Sequence, residues 1–223
     1  MNVRFAIAGL VALGALTAGA QATPRDDLFN AVQIDNLRDV RRLVQDGIVD
    51  PNTTDAKGDT VLISAIRSDA TRVIDYLVTS GKVSLEATNS AQETPLMLAA
   101  YRSNKDAVDK LLAQNAQVNR SGWTALHYAA SAGNVDIVNA LLARAADINA
   151  LSPNRTTPLM MAARSDHAEV CRVLIARNAD PTIQNDRDLT ASDFALRAND
   201  PALATYLKDQ ATAWAAKSTG PKK

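Results

Sequence analysis

Apolar residues recur along this chain at spacings that belong to short helices. Leu126, Ala129 and Ala130 sit at i, i+3 and i+4, and Ile137, Val138, Leu141 and Leu142 repeat the stripe a few residues on. That period puts each set on one helical face. Between them the polar stretch "SAGN" interrupts the run: Gly133 breaks it and Asn134 supplies an N-cap for the next helix. The pattern predicts a helix–turn–helix unit too small to bury its own stripe. Such a unit needs a neighbour on each side.

The neighbours are in the sequence. Thr60 opens "TVLISAI", Thr94 "TPLMLAA", Thr124 "TALHYAA", Thr157 "TPLMMAA" and Thr190 "TASDFAL", at intervals of 34, 30, 33 and 33. An apolar pair runs in step: Leu43-Val44, Leu77-Val78, Leu111-Leu112, Leu141-Leu142, Leu174-Ile175 and Tyr206-Leu207. Each threonine precedes its pair by 17 residues, or 16 in the last unit, and counting back from Leu43 gives Asp26 in "DDLFNAV". Six units follow, the outer two divergent.

The stretches "TALHYAASAGNVDIVNALLARAADIN" and "TPLMMAARSDHAEVCRVLIARNADP" carry a T-P-L-H-x-A-A opening, a turn, a leucine pair and a closing A-D. In these the chain resembles the ankyrin-repeat family. The resemblance implies an all-α repeat solenoid of about six helix–turn–helix units with β-hairpin fingers and divergent caps. The repeat domain covers residues 23–217, in units of about 26–59, 60–93, 94–123, 124–156, 157–189 and 190–217. The family's glycine at the end of the second helix falls here on Gly47, Gly81, Asn115, Ala145 and Asn178. A left-handed backbone is expected there, free for Gly, tolerable for Asn and costing Ala145 about 1 kcal/mol. The short interval of 30 places a deletion in the finger "NRSGW", with Trp123 at its root.

The N-terminus has a different pattern. Arg4, an apolar run to about Leu16 and an A-x-A ending make residues 1–22 a secretory signal peptide, with cleavage expected after Ala22. The apolar run falls short of the roughly 20 residues a membrane span needs, so no membrane attachment is expected after cleavage. Residues 218–223 are expected to be a disordered tail. Localisation follows as periplasmic, with secretion beyond the cell as the alternative.

Charge narrows the partner class. The chain has 24 basic and 24 acidic side chains, and losing Arg4 leaves the mature part near −1. No basic face is implied, so a nucleic-acid partner is not expected. One cysteine, Cys171, allows no internal disulfide; it falls on an apolar helical position and reads as a small buried hydrophobe.

Catalytic chemistry finds little support. His127 takes the family's T-P-L-H histidine place, and the resemblance implies a hydrogen bond to backbone between units. His167 reads as a surface turn residue. Two histidines in separate units give no zinc set. The run "DPNTTDAKGD" lacks the glycine and glutamate of a calcium loop. No phosphate-loop, nucleophile-elbow or zinc-protease motif occurs. No cofactor, metal or catalytic residue is assigned.

Function is therefore expected at the surface. The resemblance implies a concave groove made by the first helices and finger tips. Carried over unit by unit, it selects Tyr101, Arg102, Arg120, Trp123, Ser131, Asn154, Arg155, Arg164, Asp186 and Arg187 as partner-binding, with Asn89, Gln92 and Ser165 nearby. Arg, Tyr and Trp are the types that most often anchor interfaces. The expectation is a monomeric, non-catalytic binding module, inhibiting or protecting a periplasmic enzyme or toxin. Alternatives are an accessory role in periplasmic peroxide defence, or a host-targeted effector.

Overall fold

Threonine sets where the chain turns into helix. In the computed structural model, which describes residues 22–218, Thr60, Thr94, Thr157 and Thr190 take an extended backbone. Each accepts the N–H three residues on. That satisfies one of the orphan amides at every helix start. In the first unit Asp26 stands at the threonine register but is not the cap. Thr23 caps that helix, and the Asp26 carboxylate returns to the Thr23 N–H at 2.9 Å.

Twelve helices result among the described residues. α1 (Pro24–Gln33) is followed by α2 (Leu37–Gln45), α3 (Val61–Arg67) by α4 (Thr71–Thr79), and α5 (Pro95–Tyr101) by α6 (Lys105–Ala113). Then come α7 (Ala125–Ala132) and α8 (Val135–Ala143), α9 (Pro158–Arg164) and α10 (Ala168–Ala176), and α11 (Ala191–Arg197) and α12 (Pro201–Ser218). The odd-numbered helices stack on one another in one layer, and the even-numbered helices α2, α4, α6, α8 and α10 stack in a second. Each pair is also packed internally, so one apolar core runs from Leu28 to Leu207. Among the described residues no helix is long and apolar enough to cross a membrane.

The left-handed positions fall where the repeat register put them. Gly47, Gly81, Asn115, Ala145 and Asn178 all have φ between 57° and 68°. A second set, Asp35, Asp69, Ser103, Gly133, Asp166 and Asn199, ends the first helices with φ of 51° to 76°. At Gly133 the need for glycine is doubled. A Cβ there would lie 2.5 Å from the His167 ring, which leans across from the next unit.

The fingers differ from the expected β-hairpins. Among the described residues there is one isolated bridge, Thr54 to Thr60, and no strand. Two backbone bonds close each of four tips as a tight turn instead: Asp55 N–H donates to the Asp59 carbonyl at 2.9 Å, Asn89 to Glu93 at 3.1 Å, Ser152 to Thr156 and Asn185 to Leu189 at 3.0 Å, and Gly58, Gln92, Arg155 and Asp188 N–H return to Asp55, Asn89, Ser152 and Asn185 at 2.8–3.0 Å. One closed turn per finger is too little for a ladder. What holds the fingers side by side is a relay of side chains. Asn52 accepts from Ser84 N, Glu86 from Gln117 N, Asn119 from Asp147 N and Asn149 from Asp180 N, at 2.7–2.9 Å. Asn52 and Asn119 also donate to the carbonyls of Lys82 and Ala145.

The helix ends are completed across units in the same way. α4 starts at Ala70, which has no side chain to cap it. The Asp35 carboxylate does so from the unit before, accepting from Val73 N at 3.0 Å and Arg72 Nε at 2.9 Å. Partial burial opposes its charge, but these hydrogen bonds prevail and hold Asp35 below the usual carboxylate range. His167 is likewise more than a surface turn residue: its Nε2 donates to the Ser131 carbonyl at 3.0 Å.

The expected signal peptide, apart from Ala22, lies outside the described residues, as do residues 219–223 of the expected tail. Ser218, assigned to that tail, is the last residue of α12.

Candidate functional site

His127 belongs to the scaffold. It is fully buried at the third position of α7, a register held by Met97 in α5 and Met160 in α9. Those sulfurs accept from Thr94 N at 3.3 Å and Thr157 N at 3.4 Å. His127 Nδ1 does the same job for Thr124, accepting its N–H at 3.2 Å and its hydroxyl at 2.9 Å. Nε2–H then donates to the Thr156 carbonyl at 2.9 Å, tying α7 to the finger beyond it. Burial pushes the imidazole below its ordinary pKa, so the ring is held neutral. Cys171 is also fully buried, and burial pushes its thiol up to about 12, which keeps it un-ionised.

The ends of the odd-numbered helices and the roots of the fingers line one face. At the helix ends stand Arg67, Tyr101, Ser131, Arg164 and Arg197 in successive units. At the finger roots stand Asp59, Glu93, Trp123, Thr156 and Leu189. Two adjoining recesses form between these columns, and Trp123 and Arg164 line both. The smaller, about 250 Å³, is walled by Tyr101, Trp123, His127, Tyr128, Ser131 and Met161 besides Arg164. Tyr101, 56% exposed, meets Tyr128 edge-on at 6.0 Å, and Trp123 meets His127 edge-on at 5.2 Å. The larger, about 530 Å³, holds Asn154, Arg164, Arg187, Phe194 and Arg197.

Six of the ten residues selected from sequence therefore meet here: Tyr101, Trp123, Ser131, Asn154, Arg164 and Arg187. Ser131 also approaches Ser165 at 3.3 Å. The other four lie elsewhere. Arg102 is ion-paired to Asp69 of the previous unit at 2.9 Å. Arg120 donates to the Gln92 carbonyl at 3.2 Å and lines a separate recess with Asn119, Asp147 and Asn149. Arg155 and Asp186 face each other at 4.0 Å on neighbouring finger tips.

Tyr128, Met161, Phe194 and Arg197 were missed, as were Thr156, Asn185, Leu189 and Ala198. The repeat register carried their signal, since Arg197 lies one unit beyond Arg164 and Phe194 one unit beyond Met161. The Tyr128 hydroxyl donates to Glu93 at 3.2 Å, and burial together with that carboxylate pushes its pKa up to about 12. The groove offers aromatic surface and guanidinium donors.

Comparison with known proteins agrees with this architecture. The family description "Ankyrin repeats (3 copies)" matches residues 28–120 and 82–152, and "Ankyrin repeats (many copies)" matches residues 144–195. Neurogenic locus notch homolog protein 4 of Homo sapiens is 35% identical over 100 residues. That is 45% of this chain but only 5% of the relative, so the chain spans a small part of that protein's length. A solved structure is similar over most of the chain. It is one chain of a complex between the Bd0816 predatory endopeptidase from Bdellovibrio bacteriovorus and immunity protein Bd3460. It superposes with a TM-score of 0.72 at 28% identity, covering 82% of this chain and 97% of that one. With the family's pattern matched from residue 28 to residue 195, the chain belongs to the ankyrin-repeat proteins, whose repeats bind other proteins.

Proposed function

We propose that this protein is an exported, non-catalytic inhibitor that restrains an enzyme of the periplasm by gripping it with the groove, in the manner of an immunity protein. The observation that carries the reading is the pair of recesses joined at Trp123 and Arg164. They put aromatic faces and unpaired guanidinium groups on one exposed surface, the chemistry of interface anchors. The likeness to a complex of an endopeptidase with an immunity protein supports a peptidase as the partner class. The signal-peptide pattern of residues 1–22 supports export.

The test is expression of the full chain with a C-terminal tag in a Gram-negative host, followed by osmotic-shock fractionation and capture. The control is Trp123→Ala/Arg164→Ala. The expected outcome is recovery in the periplasmic fraction with one stoichiometric hydrolase, lost in the control and inhibited by the purified protein at equimolar ratio. A captured enzyme whose activity is unchanged by saturating protein would rule out the inhibitor role. Retention in the cytosol would rule out export.

A further inference from the structure

Resting on the groove reading above, we propose that the larger recess is a carboxylate receptor. It seats an aspartate or glutamate side chain of the partner among Arg164, Arg187 and Arg197, with a neighbouring apolar side chain of the same segment against Trp123 and Phe194.

The lining of this recess is one-sided. Three guanidinium groups reach it and no carboxylate does. Among the described residues none of the three has an acidic partner within 4.0 Å, although nine such contacts are made elsewhere in the chain. Of the acids close to these arginines in sequence, Asp186 faces Arg155, Asp193 accepts from Thr190 N at 2.8 Å and Thr190 Oγ1 at 2.7 Å, and Asp200 accepts from Leu203 N at 2.9 Å, while Asp166 and Asp188 stay outside the lining. The two asparagines of the lining have also used their acceptors. Asn185 Oδ1 takes the amides of Arg187 and Leu189 at 2.9 and 3.1 Å, and Asn154 Oδ1 takes the Ser152 hydroxyl at 2.5 Å. Their side-chain N–H donors remain for the recess. The Thr156 carbonyl is occupied by His127. The wall therefore consists of donors and positive charge, with acceptors turned away.

Guanidinium groups match carboxylates in planar, two-bond geometry and desolvate more readily than ammonium groups. Gathering three of them without a direct ion pair, with Asp193 acting on Arg197 only at longer range, leaves mutual repulsion that an arriving carboxylate relieves. A protein segment fits better than a small free anion, because Trp123, Phe194 and Leu189 line the same recess. The apolar surface continues through Trp123 to Met161 and Tyr128. A free anion would leave all of that surface wet.

The experiment is selection from a random linear peptide library on the purified chain, run in parallel on two variants. One is Arg164→Ala/Arg187→Ala/Arg197→Ala and the other Tyr101→Ala/Trp123→Ala, each shown by circular dichroism to melt cooperatively. The expected result is enrichment of Asp or Glu beside an aromatic or aliphatic residue. A synthetic selected peptide should bind the arginine variant roughly tenfold or more weakly, the loss of one or two charge-assisted bonds. Its Asn/Gln analogue should bind the native chain just as weakly. Peptides without acid excess that still depend on Tyr101 and Trp123 would overturn the carboxylate receptor and leave the groove reading standing. Peptides indifferent to both variants, or no enrichment at all, would overturn both. Citrate binding as tightly as the peptides, and unaffected by Trp123→Ala, would make the recess a small-anion site and overturn the protein-segment assignment.

Discussion

The two halves of the groove are built on the same register and behave as opposites. In the N-terminal half the finger roots are acids, Asp59 and Glu93, and the helix-end arginine, Arg67, lies between them at 2.7 and 3.2 Å. Asn89 donates to both acids at 3.1 and 2.8 Å. Tyr128 adds a further bond to Glu93. Arg67, Asp59 and Glu93 thus answer one another within the chain. In the C-terminal half the same column becomes Trp123, Thr156 and Leu189, while arginine stays at the helix ends as Arg164 and Arg197. Removing the acids and keeping the arginines turns a closed network into an open one. A repeat scaffold can thus assign stability to one stretch of its surface and binding to another without altering its backbone.

The largest effects should appear at the seam between the halves. His127→Ala removes a fully buried ring and strands the donors of Thr124 and the carbonyl of Thr156. The expected loss is about 4 kcal/mol in urea unfolding. His127→Met should recover most of it, since methionine already fills this register at Met97 and Met160.

The same pair of variants reads the pH dependence. The folded imidazole sits below its ordinary pKa because it is buried, so the unfolded chain binds the proton more readily. Its contribution is complete above about pH 6.5 and is lost as pH falls, by at most about 1.4 kcal/mol per pH unit. His127→Met should flatten that slope. A slope unchanged in the variant would place the acid sensitivity elsewhere.

Gly133→Ala comes next, at about 3 kcal/mol. It combines a left-handed backbone, φ 76°, with displacement of the His167 ring and loss of its bond to Ser131. Thermal unfolding of the variant measures it.

The halves themselves separate with one matched pair. Arg67→Ala leaves Asp59, whose side chain is only 6% exposed, and Glu93 without their cation, and should cost about 2 kcal/mol. Arg197→Ala at the equivalent register should change stability by no more than about 0.5 kcal/mol. Equal losses in chemical denaturation would erase the distinction between the halves. The smallest expected effect is a gain. Ala145→Gly relieves the φ of 57° and should add about 0.5 kcal/mol, net of the glycine's greater freedom when unfolded. A lowered melting temperature would refute it.

Much of this was legible in the residues because repeat stacking imposes a register that composition cannot hide. The turn from Leu141-Leu142 to Ala145 could be placed by counting from Leu111-Leu112 and Asn115, and the left-handed backbone followed. Trp123 and Arg164 were found by carrying the family's finger and first-helix positions over unit by unit. What stayed hidden were relations between units. Arg102 and Arg164 look alike in sequence, yet Asp69 is within reach of the first and no acid is within reach of the second. Arg197 and Phe194 were passed over because the last opening, "TASDFAL", diverges, although the spacing of 33 points to both. The hairpin fingers failed for a physical reason. Each tip closes as one tight turn that no ladder extends, and their order comes from asparagine and glutamate side chains of the adjacent finger.

Those side chains give the array a direction. Asp35 reaches Val73 N, Asn52 reaches Ser84 N, Glu86 reaches Gln117 N, Asn119 reaches Asp147 N and Asn149 reaches Asp180 N. In every case the acceptor is the earlier residue and the amide the later one. Fraying from the C-terminus removes amides together with the unit that carries them, whereas fraying from the N-terminus strips acceptors from a unit that remains. Each of these five amides is thus a local gauge of one joint, and its deuterium exchange would report the parting of two particular neighbours while the rest of the stack stays closed.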